Sequence, residues 1–164
     1  MKKLLISAGA VTALALSTPA FALNPNQANA TATVNIVSPL SLTKNSDMNF
    51  GTILGPFASD TDYELQTDGT LASCATTCAG TPSAATFTVT GTANQAVKFT
   101  YQSSVNLAGP SGNLSVDLTT DHDADPTLDG SGSATYALGG TLTVLSGTTD
   151  GLYTGNFDVT VDYQ

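Results

Sequence analysis

Residues 151–164 read GLYTGNFDVTVDYQ, and the alternation in this stretch decides the fold class. From Tyr153 to Tyr163 every second residue is apolar, aromatic or Gly, and the residues between them are Thr, Asn or Asp. Because side chains of a β-strand point alternately to its two faces, the pattern predicts a strand with one buried face. Such a strand lies at a sheet edge, or is covered by its own chain or by another molecule.

Further short strands are predicted along the chain, each bounded by Gly, Pro, Asn or Asp. They cover residues 28–36, 40–42, 48–53, 86–90, 96–102, 113–118 and 141–145, while 63–65 and 134–138 fit either short strands or ordered loop. Loops are expected at 54–62, 69–83 and 120–133. Since Thr, Ser, Gly and Val are plentiful and Lys, Glu, Arg and Met are scarce, we expect an all-β protein, a β-sandwich of about seven short antiparallel strands.

The first 22 residues have the features of a secretory signal peptide. Lys2 and Lys3 precede an apolar run at 4–16, and Ala20-Phe21-Ala22 forms a small-residue cleavage signal. The apolar run is shorter than the roughly 20 residues that a membrane span needs. We therefore expect residues 1–22 to be removed and 23–164 to be exported as one domain, with 23–37 as an N-terminal arm and first strand.

The remaining chain is strongly acidic. Without residues 1–22 it holds Lys44 and Lys98 against 13 acidic residues and has no Arg, which gives a net charge of −11. Nucleic acid and anionic membrane surfaces would repel it, so neither is an expected partner.

The two cysteines, Cys74 and Cys78, are predicted to form a disulfide that closes a small loop, because the chain is expected to be exported. A redox role or a zinc site is disfavoured. Zinc needs four good ligands, and the chain has only one His, His122.

Alternating carboxylates at Asp121, Asp123 and Asp125 make these residues a calcium candidate. The stretch departs from an EF-hand loop, because Pro126 stands where the turn Gly belongs and Gly132 where the final Glu belongs. A solvated acidic loop is the preferred interpretation.

Catalysis and cofactor binding are not expected. His122 is the sole imidazole base, and no Ser lies in a G-x-S-x-G turn. Asp62 and Glu64 point the same way from one strand, as a glycosidase pair would, but no aromatic platform for a sugar surrounds them. The five tyrosines could stack sugars if they were exposed, although at least Tyr101, Tyr153 and Tyr163 fit buried faces.

Three stretches carry a resemblance to a known family. They are ATATVNIVSPLSLTKNSDMNFGTI (30–53), AATFTVTG (84–91) and LGGTLTVLSGTTDGLYTGNFDVTVDYQ (138–164). By these the chain, over about residues 28–164, is identified as a member of an exported bacterial family, domain of unknown function 4402. That family in turn resembles the subunits of chaperone-usher pili and spore-coat-U proteins.

The resemblance implies an immunoglobulin-like, pilin-like sandwich completed by an N-terminal donor strand. It also implies an edge that a periplasmic chaperone recognises, marked in pilins by a penultimate aromatic residue and a Gly fourteen places from the end, here Tyr163 and Gly151. The donor strand would present Ala28, Ala30, Ala32, Val34 and Ile36. The acceptor and chaperone edge would comprise Gly151, Phe157, Val159, Val161 and Tyr163.

The expected function is that of a non-catalytic structural subunit of a surface fimbria or fimbria-like layer. The chain would be its own partner in a head-to-tail polymer, with a periplasmic chaperone and an outer-membrane usher as further candidates, and would pass through the periplasm to the cell surface. The alternative is an arm that folds back onto its own sandwich, giving a monomeric secreted module for adhesion or carbohydrate binding. The alternation fits both.

Overall fold

A computed structural model of the chain describes residues 28–72, 74, 77–122 and 125–164. The chain divides into two units, Met1–Asn35 and Ile36–Gln164. The predicted signal peptide, residues 1–22, and the first residues of the predicted arm lie outside the described residues. In the first unit, residues 28–35 carry no regular secondary structure and are exposed.

Ten β-strands form in the second unit, and the described residues contain no helix. The strands are β1 (Ser41–Ser46), β2 (Thr52–Ile53), β3 (Thr61–Leu65), β4 (Cys78–Ala79), β5 (Ala85–Thr90), β6 (Val97–Tyr101), β7 (Ser104–Gly109), β8 (Gly112–Thr120), β9 (Ser133–Val144) and β10 (Val159–Tyr163). Every strand pair is antiparallel. The predicted all-β, antiparallel class is confirmed, and the immunoglobulin-like arrangement stays a prediction.

The described strands form three sheets. The largest has six strands in the order β1-β5-β9-β8-β7, with β3 also paired to β9. The others are two-stranded, β10 with β6 and β2 with β4. Among the described strands, β1 pairs only with β5, and β10 pairs only with β6, so both are edge strands.

The long strand β9 joins the two halves of the large sheet. Its first half, from Ser133 to Leu138, pairs with β5, and its second half pairs with β8 on one side and β3 on the other. Gly139 lies at the change of partner, where a Cβ atom would overlap the carbonyl oxygen of Leu65. Only a residue without a side chain therefore allows the end of β3 to approach β9 so closely.

The buried side chains form two clusters. The first cluster lies between the β5 and β9 side of the large sheet and the β6–β10 pair, and comprises Ala85, Phe87, Val89, Val97, Phe99, Leu128, Tyr136 and Leu138. The second cluster lies on the second half of the large sheet and comprises Tyr63, Val105, Leu114, Val116, Leu118, Leu142 and Val144. Their alternation along β5, β6, β8 and β9 is the period-2 pattern expected of strands with one buried face.

The last strand is shorter than predicted. Only Val159–Tyr163 pairs with β6. Upstream, Thr154 turns to the edge of β7 instead, where its N–H and C=O exchange hydrogen bonds of 3.0 and 2.8 Å with Ala108. Residues 153–163 therefore pair with two different strands. The change of partner corresponds to the break between β6, which ends at Tyr101, and β7, which begins at Ser104.

Other boundaries also differ from expectation. The strand predicted at residues 28–36 does not form in the single chain, and β1 begins at Ser41. The predicted 141–145 strand and the uncertain 134–138 segment are one strand, β9, and the uncertain 63–65 segment is β3. The strand β7 was not predicted, although Val105 and Leu107 alternate with polar residues.

Candidate functional site

A groove of about 860 Å³ opens onto the second cluster and reaches Ala85 and Phe87 of the first. Its floor is formed by buried and half-buried apolar side chains of the large sheet: Ala85, Phe87, Val105, Leu107, Leu114, Val116, Leu142 and Val144. Its walls are the segments around residues 44–57 and 148–157. The first wall contains the end of β1 and all of β2, whereas in the second only Thr154 bridges to another described strand. The groove therefore exposes core-type surface beside a wall, residues 148–157, that is almost free of ladder pairing.

Aromatic side chains line both walls. Phe50 and Phe57 lie on the first wall, and Tyr153 and Phe157 lie on the second. The ring of Tyr153 packs over Gly109, and its hydroxyl makes a 2.6 Å hydrogen bond with Ser111. This hydrogen bond lowers the pKa of Tyr153. Tyr153 is thus a fixed part of the wall, tied to the β7–β8 turn.

Two loops border the groove at one end of the molecule, which we call the groove end. These loops span residues 54–60 and 145–152. They are joined by hydrogen bonds from the Gly147 N–H to the Phe57 carbonyl (3.3 Å) and from the Ser146 N–H to Asp60 Oδ1 (2.8 Å). Gly151 packs against Pro110 of the β7–β8 turn with no room for a Cβ. The loops carry three exposed leucines, Leu54, Leu145 and Leu152.

At the opposite end, which we call the arm end, the penultimate residue Tyr163 ties the chain together. Its hydroxyl accepts a hydrogen bond from the Thr92 N–H and donates one to the Ser38 carbonyl, both 2.7 Å long. The Ser38 N–H in turn donates to Thr92 Oγ1 at 2.7 Å. This three-residue clasp fixes the point at which residues 28–37 leave the domain.

The predicted acceptor residues divide between groove and core. Gly151 and Phe157 line the groove. Val159, Val161 and Tyr163 instead pack, half-buried, against the first cluster and do not line the groove. The groove therefore lies beside residues 148–157 and not along the last strand as expected, because β10 is held against β6 and its end is held by the clasp.

The predicted donor residues Ala28, Ala30, Ala32, Val34 and Ile36 are all exposed. Val34 and Ile36 are the most exposed large apolar residues of the described chain, at 83% and 85%. Removing a large apolar side chain from water is energetically favourable, so burial of Val34 or Ile36 would be stabilising.

The other candidate groups lie apart from the groove. Asp121 and Asp125 are exposed, Asp123 lies outside the described residues, and no cluster of metal-ligating side chains occurs in the described residues. His122 is paired with Asp121 at 3.4 Å, and Asp62 accepts a hydrogen bond from Thr143. Glu64 is exposed on the same strand as Asp62.

The tyrosines offer no exposed sugar platform, because all five are buried or half-buried. Tyr136 stacks on Phe99 with ring centroids 4.2 Å apart, and burial raises the pKa of its hydroxyl. Cys74 and Cys78 are joined in the predicted disulfide, and both pack against the second cluster.

Sequence reasoning missed Phe50 and Phe57 as wall residues. Phe50 lies in the strand predicted at 48–53 and Phe57 in the loop expected at 54–62, and each lies beside Gly or Pro. An aromatic residue inside an otherwise small and polar loop is a signal of anchoring that could have identified Phe57.

The chain matches a family model over residues 40–163, described as "Domain of unknown function (DUF4402)". The chain belongs to this family. The matched region begins after the arm, so it is shorter than the 28–164 extent expected, and the donor residues lie outside it. No curated protein and no solved structure matches the chain. In the described residues no helix is long and apolar enough to cross a membrane.

Proposed function

We propose that this chain is an exported structural subunit that polymerises head to tail, with the N-terminal arm of one copy filling the groove of the next. The observation that carries the proposal is the groove itself, an opening onto core-type side chains beside residues 148–157, of which only Thr154 bridges to another described strand. An added strand would supply apolar side chains to the floor and backbone hydrogen bonds to this wall. Assembly on a cell surface, with help from a chaperone and an usher, belongs to the same proposal.

The arm has the composition that such a strand needs. Residues 28–36 alternate small or branched apolar residues with Asn and Thr, and they carry no charge. An uncharged segment can approach a body that is otherwise strongly acidic without like-charge repulsion. The apolar residues increase in size along the arm, from Ala28 to Ile36.

Reach favours a second copy as the occupant. The clasp holds Ser38 at the arm end. The groove residues nearest to the clasp residues along extended chain are Phe87, Lys44 and Phe157, five or six residues away, or about 17–20 Å. Ile36 and Val34 lie two and four residues from Ser38, at most about 7 and 14 Å away. The two largest donor side chains therefore fall short of their own groove, whereas those of another copy have no such limit.

Such a contact propagates. Donor and acceptor surfaces are different parts of one chain, so each copy can give an arm and receive one, and the contact is heterologous. Because the arm leaves at the arm end and the groove opens toward the groove end, successive copies would extend along one line. This geometry suits a fibre better than a closed ring.

Cysteine cross-linking tests the proposal in the mature chain. Ile36→Cys is combined with Asn156→Cys, an exposed residue that lines the groove. After oxidation we expect a ladder of reducible oligomers on a denaturing gel. The control pairs Ile36→Cys with Thr100→Cys, an exposed residue on β6 outside the groove, and should give no ladder. A cross-linked monomer alone, or no cross-link with a monomer at every concentration, would overturn the proposal.

A binding experiment measures the groove directly. In the variant Val34→Asp/Ile36→Asp the arm can no longer insert, so the groove is left for an added peptide of residues 28–36. At a hundredfold excess over Kd the peptide should stabilise the variant by about 2.7 kcal/mol, read as a rise in Tm. The same peptide carrying both Asp changes is the control and should have no effect.

A further inference from the structure

Three leucines form an apolar rim at the groove end. Leu54, Leu145 and Leu152 are 49%, 47% and 80% exposed, and apart from residues 34–37 they are the only large apolar residues exposed in the described chain. Leu152 lines the groove, Leu54 lies between the lining residues Ile53 and Gly55, and Leu145 follows the lining residue Val144. Scattered exposed leucines are common, but these three border one opening from both walls.

The groove does not extend along the whole sheet. Its lining stops at Lys44 on one wall and at Phe157 on the other, and beyond them, toward the arm end, half-buried Leu42, Val159 and Val161 pack on the first cluster. The small side chains Ala28 and Ala30 suit this closed end of the groove. The larger Val34 and Ile36 suit the part beside Phe57 and Leu152, which lies toward the groove end.

We propose that the rim is the seat for Val37, Ser38 and Pro39 of the incoming copy; this inference rests on the proposed function. With Ile36 beside Phe57 and Leu152, residues 37–39 must cross the rim before the chain reaches the body of the incoming copy. Val37 is exposed and apolar, and Pro39 has no N–H to leave unpaired. The exposed acidic residues beside the rim, Asp60 and Asp150, do not repel this segment, because residues 28–40 carry no charge.

The rim therefore has a role distinct from that of the groove. The groove would hold the alternating strand, whereas the rim would hold the root of the arm and bring the arm end of one body against the groove end of the next. Burying Leu152 against Val37 removes apolar surface of both from water. The rim would thus limit bending between successive subunits.

The test compares two peptides with blocked ends, residues 28–36 and residues 28–40, binding to the Val34→Asp/Ile36→Asp chain. The longer peptide should bind about five- to tenfold more tightly, because it alone reaches the rim. Leu145→Ser should remove this advantage and leave the affinity for the shorter peptide unchanged, because Leu145 does not line the groove. Leu145→Met, which keeps an apolar side chain, should preserve the advantage, and Leu54→Ser provides a second variant on the opposite wall, also outside the lining.

Each outcome separates the two proposals. If the shorter peptide binds but the longer one binds no more tightly, or if Leu145→Ser and Leu54→Ser both leave the advantage intact, the rim inference is overturned and the groove proposal stands. If neither peptide binds, the proposed function itself fails. Binding of the shorter peptide to each Ser variant shows in the same experiment that the variant is folded.

Discussion

The two core clusters lie on one sheet but are covered in different ways. The first cluster is covered by the β6–β10 pair, whose backbone is hydrogen-bonded along five residue pairs. The second is covered by loop segments, aromatic side chains and the disulfide loop. Side chains can close a sheet face without satisfying the backbone of a ladder, so the second cover leaves a groove onto the core. The difference separates a face closed by paired strands from a partly open face, and the proposed function uses the open one.

The largest expected effect is on the free energy of unfolding, when one Phe is replaced by Ala in the cover of each cluster. Phe99 is 4% exposed and packs against Phe87, Tyr101 and Tyr136, so Phe99→Ala should cost about 3–5 kcal/mol. Phe57 is half-buried in the groove wall, and Phe57→Ala should cost only about 1–2 kcal/mol, since part of its surface already meets water. Urea unfolding of the Val34→Asp/Ile36→Asp chain measures both. Equal costs would mean that the second cluster is as tightly closed as the first.

Gly139, where the clusters meet, offers the next largest effect. A Cβ there would overlap the Leu65 carbonyl, so Gly139→Ala must shift β3 or β9 and should cost about 1–3 kcal/mol. Thr141→Ala, two residues along and half-exposed, is the control and should stay within about 0.5 kcal/mol. Coincident unfolding followed by near-UV and far-UV circular dichroism would show that the clusters are one cooperative unit. Two separated transitions would show that they are not.

Alternation was enough to predict the fold class and most strands, because the two faces of a half-buried strand appear in the local sequence as alternating apolar and polar residues. Partners were harder to predict. The run from Tyr153 to Tyr163 alternates without interruption, yet Thr154 pairs with β7 while Val159–Tyr163 pairs with β6. Period-2 alternation is the same whichever strand lies alongside, so only the three-dimensional arrangement reveals where pairing changes.

The resemblance to pilins predicts an acceptor edge along the last strand, whereas the groove lies beside residues 148–157. Its floor residues can be identified as strand faces, such as Leu114 with Val116 and Leu142 with Val144. Its first wall is largely irregular, so no periodicity marks Phe50 and Phe57. The clasp was also not predictable, because it joins residues 38, 92 and 163, far apart in sequence, through one hydroxyl.

Tyr163→Phe tests the clasp, which holds the arm end together beside the first cluster. The change removes an acceptor for the Thr92 N–H and a donor to the Ser38 carbonyl, so we expect a loss of about 1–2 kcal/mol. Tyr101→Phe is the matched control, because the Tyr101 hydroxyl makes no hydrogen bond within the described residues and its loss should change little. Faster amide exchange at Thr92, with peptide binding at the groove unchanged, would locate the effect at the arm end. Weaker peptide binding would contradict the separation of the two regions.

The smallest expected effect is on stability at acid pH. The residues compared are Asp129, near the first cluster, and Asp68, near the second. A hydrogen bond from the Ser131 hydroxyl, with others from the Ser133 and Ser131 N–H groups, lowers the pKa of Asp129 below its ordinary value of 3.8. Asp129 follows Leu128 of the first cluster. On the other side, a hydrogen bond from the Thr70 hydroxyl lowers the pKa of Asp68, in the turn after β3.

A carboxyl group with a lowered folded-state pKa stabilises the fold above its unfolded pKa, and this contribution is lost as pH falls through the folded pKa. Asp129→Asn and Asp68→Asn should each therefore flatten the loss of stability below about pH 4, measured as Tm against pH. Both groups are exposed, so the changes should be slight. If the clusters unfold together, either substitution flattens the pH dependence of the same unfolding transition. If Asp68→Asn instead alters only the binding of peptide 28–36 in acid, the loops over the second cluster unfold separately. The cover of the groove is then locally unstable.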